Sequence, residues 1–280
     1  MTAKTKTELK VDVDKGILTK QLMYDIIDST TMGYLNKGQN ILFLFAHPDD
    51  EQYMAGTIQQ LITSGQEVYV AYTTSGKNGT DVTGTYPTGS DELGLAREQE
   101  AANSLTSLGV DLYKIYALRR DDDSLIINTL LSSLASVLSN DGIVVDAIIT
   151  FDRVGVYGNQ DHAACQRVGL EYFRLTDTTK AIFFFTVPES DIDEENLTDI
   201  TLGNATDDKF VDFIHILSTA QNNAKKSVLD FHVTQYEDPF KSSIKSHYTN
   251  RPYEYICTGN AKIRGLGEDP LQYLYSIYRQ

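Results

Sequence analysis

The sequence predicts an α/β fold: a doubly wound, mostly parallel sheet between two helical layers, a Rossmann-like three-layer sandwich. Three observations carry this expectation. Apolar runs at 41–45, 67–74, 112–118, 147–151 and 181–187 have strand length and are rich in β-branched and aromatic residues. Segments of helical period stand between them, and such alternation is what parallel strands with crossover helices require. Polar residues follow the strands directly, where ligands of open parallel sheets bind.

The first strand, Ile41 to Phe45, lies between Gly38 and Pro48 and is apolar throughout, as expected of a strand buried on both faces. It ends in His47, Pro48, Asp49, Asp50 and Glu51, before a helical pattern of Met54, Ile58, Leu61 and Ile62. Imidazole and carboxylate are zinc-type ligands, and a further carboxylate beside them can act as a base. The competing reading is that Asp49 or Asp50 merely caps the helix.

The second strand, 67–74, opens into a Gly- and Thr-rich loop at 75–90, expected to be a binding loop or lid. Its G-K-N-G-T core lacks the Gly-Lys-Ser/Thr order of a phosphate loop. A helix is predicted over 91–108, with Arg97 in its first turns and Gly109 ending it. Arg97 either contacts substrate or forms an i,i+3 pair with Glu100. After the third strand, residues 119–123 (R-R-D-D-D) read as a solvated loop, with Asp123 or Ser124 capping a helix over 125–138.

The fourth strand leads into D-R-V-G-V-Y-G-N-Q-D-H and a helix opening at Asp161 or His162. A doubly wound sheet would bring His162 to the same edge as His47 and Asp50, completing the three ligands of a catalytic metal site. Farther on come an acidic loop at 190–208, an edge strand at 209–216, and a capping box, Ser218 with Gln221, opening a helix to about Phe231. A last strand is expected over 253–257. His215 reads as a core histidine. Residues 1–39 carry a weak helical pattern, read as an N-terminal extension of one domain spanning 1–280, its core about 40–257.

The A-H-P-D-D-E strand end resembles the opening signature of the LmbE-like, or PIG-L, family of zinc-dependent sugar N-deacetylases. T-S-G, loop, R-E-x-E resembles the second block, Y-G-N-Q-D-H resembles the family's Y-G-H-P-D-H, and weaker similarity lies in 225–235 and 253–257. The resemblance implies one zinc ion, or another divalent metal, held by His47, Asp50 and His162, with Asp49 as general base. It also implies Arg97 and His232 at the substrate and Tyr157 as a donor to the oxyanion. Asn159 stands where the family usually has a histidine; it can donate a hydrogen bond but cannot transfer a proton.

Composition narrows the partners. Apolar residues make up 41% and charged residues 22%, as in an ordinary globular chain. With 39 acids against 24 bases the net charge is −15, which argues against nucleic acid as a partner. Cys165 and Cys257 show no C-x-x-C spacing and read as buried thiols. Neither a signal peptide nor a membrane span is recognisable, so a cytoplasmic enzyme is expected, although a secreted mature form would read the same. The expected activity is removal of acetyl from an N-acetylglucosamine-type sugar or glycoconjugate. The alternatives are an amidase acting on another acyl amide, or a catalytically silent sugar- or metal-binding protein.

Overall fold

The computed structural model describes residues 38–122, 125–188, 191, 206, 211 and 213–257. The expected N-terminal helix at 1–39 lies outside these, as does most of the acidic loop at 190–208. Seven strands form one sheet: β1 (Asn40–Phe45), β2 (Glu67–Thr74), β3 (Ile115–Arg120), β4 (Ala147–Phe151), β5 (Ala181–Thr186), β6 (Phe213–Ile216) and β7 (Tyr253–Cys257), in the order β3-β2-β1-β4-β5-β7-β6. The first five run parallel, while β7 is antiparallel to both β5 and β6. The expected α/β class and mostly parallel sheet are what the molecule has. The antiparallel end at β7 is added by the late part of the chain.

β1 is central. Phe43 pairs with Val70 on one side and Ile149 on the other, and residues Ile41 to Phe45 are fully buried. A strand covered on both faces gains nothing from alternating polarity, which is why its sequence is uniformly apolar. The crossover helices are α1 (Ala55–Thr63), α2 (Asp91–Ser107), α3 (Ile127–Asn140) and α4 (Gln160–Leu175). Leu130, Leu134 and Leu138 of α3 and Val168 and Tyr172 of α4 bury their sides against the sheet at helical spacing.

Two helices follow. α5 (Thr219–Val228) opens with the expected capping box, in which both the Ser218 and the Gln221 hydrogen bonds form. α6 (Asp238–Asn250) was not expected from the sequence. It has Pro239 in its first turn but buries only Ile244 and His247, so its apolar stripe is too thin to register. β3 begins three residues later than expected because Leu112–Lys114 close a 3-10 turn, with Lys114 N–H donating to Asp111 O. The N-cap of α3 is Ile126; the expected caps, Asp123 and Ser124, lie outside the described residues. Both cysteines are buried thiols. Among the described residues no helix is long and apolar enough to cross a membrane.

Candidate active site

The carboxyl ends of β1 and β4 lie side by side, because these strands pair in parallel. The H-P-D-D-E turn leaves β1 and tightens at once into a 3-10 helix, Asp50–Tyr53. Asp50 Oδ2 accepts from the N–H groups of Ala46 (3.1 Å) and His47 (2.7 Å), which locks the carboxylate under the turn. Its other oxygen lies 3.2 Å from His162 Nε2, and Oδ2 lies 3.6 Å from His47 Nδ1. His47 Nδ1 and His162 Nε2 are themselves 3.2 Å apart. The structure therefore brings His47, Asp50 and His162 together.

What backs these imidazoles sets their chemistry. His47 Nε2 faces Asp161 Oδ2 at 3.2 Å, and His162 Nδ1 faces Gly155 O at 3.2 Å. A carboxylate and a carbonyl only accept, so these outer nitrogens carry protons, and in the neutral imidazoles the inner two are left as acceptors that an ion can use. His162 is pinned further by stacking on Phe151, ring centroids 3.9 Å apart. Gly155 allows the approach: it has φ 65°, and a Cβ there would lie 2.9 Å from His162 Cβ.

In that form the inner nitrogens and the Asp50 carboxylate repel one another unless a proton or a metal ion lies between them. Ligands about 2.1 Å from a tetrahedral zinc lie about 3.4 Å apart. The His47 Nδ1–His162 Nε2 and His162 Nε2–Asp50 Oδ1 separations of 3.2 Å are close to that, and one donor atom from each of the three residues lies within 4.8 Å of the others, so the cluster can hold a divalent ion. The same field acts on protons. Burial disfavours a charged His47, but hydrogen bonds to Asp161 and Asp50 outweigh it and raise the imidazole well above its ordinary range. Burial alone would raise Asp50, but His162 and His47 hold it well below the usual carboxylate range.

Asp49 does not cap a helix. It accepts no cap hydrogen bond, and its φ of 129° is a strained backbone conformation for a residue with a side chain. Its Oδ2 accepts from Tyr236 O–H at 2.6 Å, while burial and the charge of Asp50 push its carboxyl up to about 6. Glu51 faces away from the cleft, accepting from Tyr72 O–H (2.6 Å), from His232 Nε2 (2.5 Å) and, at 3.0 Å, from the N–H of Asp49 itself.

His232 was expected at the substrate, but its imidazole is 0% exposed and pairs with Glu51. Burial works against its charge, yet Glu51 raises it above the usual histidine range. Gln235 Nε2–H donates to Pro48 O at 2.6 Å, so the stretch after α5 braces the H-P-D-D-E turn from outside.

A cleft of about 300 Å³ opens over this turn, lined by His47, Asp49, Asp50, Tyr157, Arg97, Asp122 and backbone of the 75–90 loop, among others. Arg97 donates to Gly76 O, to Thr80 O (2.8 Å) and to Thr234 Oγ1 (3.3 Å), so it holds the loop as well as lining the cleft. It does not pair with Glu100, whose carboxylate accepts from Thr234 N–H and O–H at 2.9 Å each. Gly79 lies flat on the guanidinium: a Cβ there would be 2.3 Å from Nη1.

Tyr157 lines the cleft, edge-on to His162 at 5.3 Å. Asn159 is not among the lining residues. Its Oδ1 accepts from the N–H groups of Asp161 (2.8 Å) and His162 (3.2 Å), capping α4. Sequence reasoning missed Asp122, which was assigned to a solvated charge run. It is 9% exposed, accepts from Asn78 N–H at 2.9 Å, and has its other oxygen buried without a hydrogen-bond partner. A carboxylate left so is held for something that enters the cleft. No residue pattern separates Asp122 from Asp121, which is exposed; only the fold does.

Fold and site together define an α/β protein with a metal-competent His-Asp-His cluster at the carboxyl edge of a parallel sheet. Residues 42–173 carry a PIG-L family domain, the family described as GlcNAc-PI de-N-acetylase. No curated protein sequence matches the chain. Among solved structures, N,N'-diacetylchitobiose deacetylase from Pyrococcus horikoshii is similar with a TM-score of 0.59, at 19% identity, over 89% of this chain and 92% of that one. The A40926 pseudoaglycone deacetylase Dbv21 is similar at 0.58 and 15% identity, over 82% of this chain and 100% of that one. GalB, a 4-carboxy-2-hydroxymuconate hydratase from Pseudomonas putida, is similar at 0.56 and 14% identity, over 82% and 99%. At these identities the likeness is one of fold, and the fold hosts both deacetylases and a hydratase.

Proposed function

We propose that the protein is a zinc-dependent N-deacetylase acting on an N-acetylglucosamine-type sugar or glycoconjugate, within one domain whose core is about 40–257. One observation carries the reading: donor atoms of His47, Asp50 and His162, one from each, lie within 4.8 Å of one another beside a half-buried carboxylate, Asp49, in the lining of a polar cleft. The PIG-L domain supports the substrate class.

Zinc, when bound, supplies Lewis acidity to the amide carbonyl and makes water acidic enough to attack near neutral pH. Asp49 takes the proton of the attacking water and hands it to the nitrogen as the C–N bond breaks. Tyr236 holds Asp49 Oδ2, which leaves Oδ1 for that traffic. Tyr157 donates to the developing oxyanion from the cleft wall. Arg97, prepositioned by the fold, donates to sugar hydroxyls, and Asp122 lines the same cleft. Asn159 acts through His162, by fixing the first turn of its helix.

A second reading, a silent sugar- or metal-binding protein, has one observation in its favour: Asn159 is committed to capping and offers no proton. Acetate release from a panel of N-acetyl sugars, with metal content measured on the same sample, separates the two. The enzyme reading expects release that the Asp49→Ala variant lacks. Equal background from both proteins, with sugar binding retained, would leave the binding reading.

A further inference from the structure

Two cavities meet over Asp49. Beside the polar cleft lies a second of about 340 Å³, between the carboxyl end of β5, α6 and β7. The two share Asp49, Gln52, Tyr53, Tyr157, Gln235 and Tyr236, so a molecule that bridges them has its middle at the proposed base.

The second cavity has a different chemistry. Beyond the shared Asp49, its charged groups among the described residues are spent on one another. Lys225 Nζ pairs with Glu254 at 3.1 Å, and Asp191 pairs with Arg251 at 3.0 Å and with His247 at 3.6 Å. What remains is mostly ring and aliphatic surface from Val187, Phe240, Ile244, Tyr248, Tyr253 and Tyr255, beside the polar Gln52, Thr186 and Gln235. Such walls favour an apolar or aromatic group over an ionic one.

An amide has two halves that meet at the scissile bond. The cleft with Arg97 and Asp122 matches a polyhydroxylated amine half, which leaves the second cavity for the acyl half. Acetyl offers a single methyl to about 340 Å³. We propose that the preferred substrate carries an acyl group larger than acetyl, a medium-chain or aromatic acyl amide of an amino sugar, with that group in the second cavity. The proposal rests on the hydrolase reading above and leaves its chemistry unchanged: the water oxygen bonds to the acyl carbon, the C–N bond breaks, and the products are a carboxylate and a protonated amine.

The test is kcat/KM, read as primary-amine release, for glucosamine carrying N-acetyl, N-butyryl, N-hexanoyl or N-benzoyl groups. One methylene in an apolar pocket is worth about tenfold or more, so hexanoyl and benzoyl substrates are expected to exceed acetyl by at least about tenfold. Filling the cavity with Ile244→Trp, or with Val187→Phe should the buried Ile244 tolerate no change, is expected to lower the hexanoyl-to-acetyl ratio about tenfold. The ratio is taken within one preparation, so partial unfolding cancels.

Acetyl as the best substrate overturns the proposal. So does a flat acyl series in which N,N'-diacetylchitobiose outruns N-acetylglucosamine tenfold, because the cavity then holds a second sugar. Those outcomes leave the hydrolase reading standing. Hydrolysis of no substrate in the series overturns both.

Discussion

Replacing Glu254 by glutamine changes a charge and almost no volume, at a position 1% exposed. Its Oε1 accepts from Gly56 N–H at 2.9 Å and from Lys225 Nζ at 3.1 Å, and its Oε2 accepts from Thr57 N–H at 2.7 Å. The two backbone donors are orphan N–H groups in the first turn of α1, which starts just after the H-P-D-D-E turn. Lys225 is 3% exposed and also donates to Tyr53 O. A glutamine amide keeps one acceptor and sets an NH2 group against a donor whichever way it turns. One buried donor left unpaired costs about 1–3 kcal/mol. Removing one partner of a buried ion pair costs about 3–5 kcal/mol, a figure that already contains much of the first. We therefore expect Glu254→Gln to lose about 3–5 kcal/mol. At about 2–4 °C per kcal/mol for a chain of this size, the melting midpoint should fall by roughly 6–20 °C. Urea unfolding and thermal melts measure both quantities. Adding Lys225→Met should recover part of the loss by removing the stranded charge. A loss under about 1 kcal/mol for the single variant would refute the reasoning, since the pair would then be neither dry nor strained by the change.

Tyr236→Phe removes the donor to Asp49 Oδ2, a charge-assisted bond of about 1.5–3 kcal/mol, so kcat should fall about 10- to 100-fold with a smaller change in KM. Asn159→Ala should cost about 1 kcal/mol of stability through the lost cap and weaken metal retention by about 10- to 100-fold through His162. Asn159→Asp should restore both, as checked by melts and competitive metal titration. His215 is buried against Thr57 and pushed down to about 4, mainly by burial. The unfolded chain takes up that proton first, at about 6.5, so this group's contribution is complete above about pH 6.5 and is lost as the pH falls towards 4. The loss should be about 3 kcal/mol and absent from His215→Gln, read as the slope of unfolding free energy against pH.

The parts legible in the sequence were those whose signals are local. β1 and its polar end announced themselves because a strand buried on both faces must be apolar, and His47, Pro48, Asp49, Asp50 and Glu51 interrupt that run abruptly. His162 could be paired with His47 across 115 residues because parallel topology sends both strand ends to one edge. The illegible parts depend on contacts without sequence period. Tyr236 reaches Asp49 from 187 residues away, and Asp122 differs from Asp121 only in where the turn points it. His232 was placed, on its position in a late motif, either behind the site or at the substrate's edge, and its pairing with Glu51 in the core fits the place behind the site. Asn159 looked like a weakened catalytic residue and turns out to hold a helix terminus, a role that its position directly before the helix already permitted.

The most direct test of the central claim is a cycle of metal removal and return. Protein stripped with a chelator and assayed on N-acyl amino sugars is predicted to be inactive, to regain amine release in proportion to about one zinc bound per chain, and to lose that recovery in Asp49→Ala although the variant still takes up the ion. General-base loss of this kind is worth about 10²- to 10⁴-fold. Turnover that survives stripping, or a variant that fails to bind zinc, would contradict the assignment of His47, Asp50 and His162 to the ion and of Asp49 to the proton.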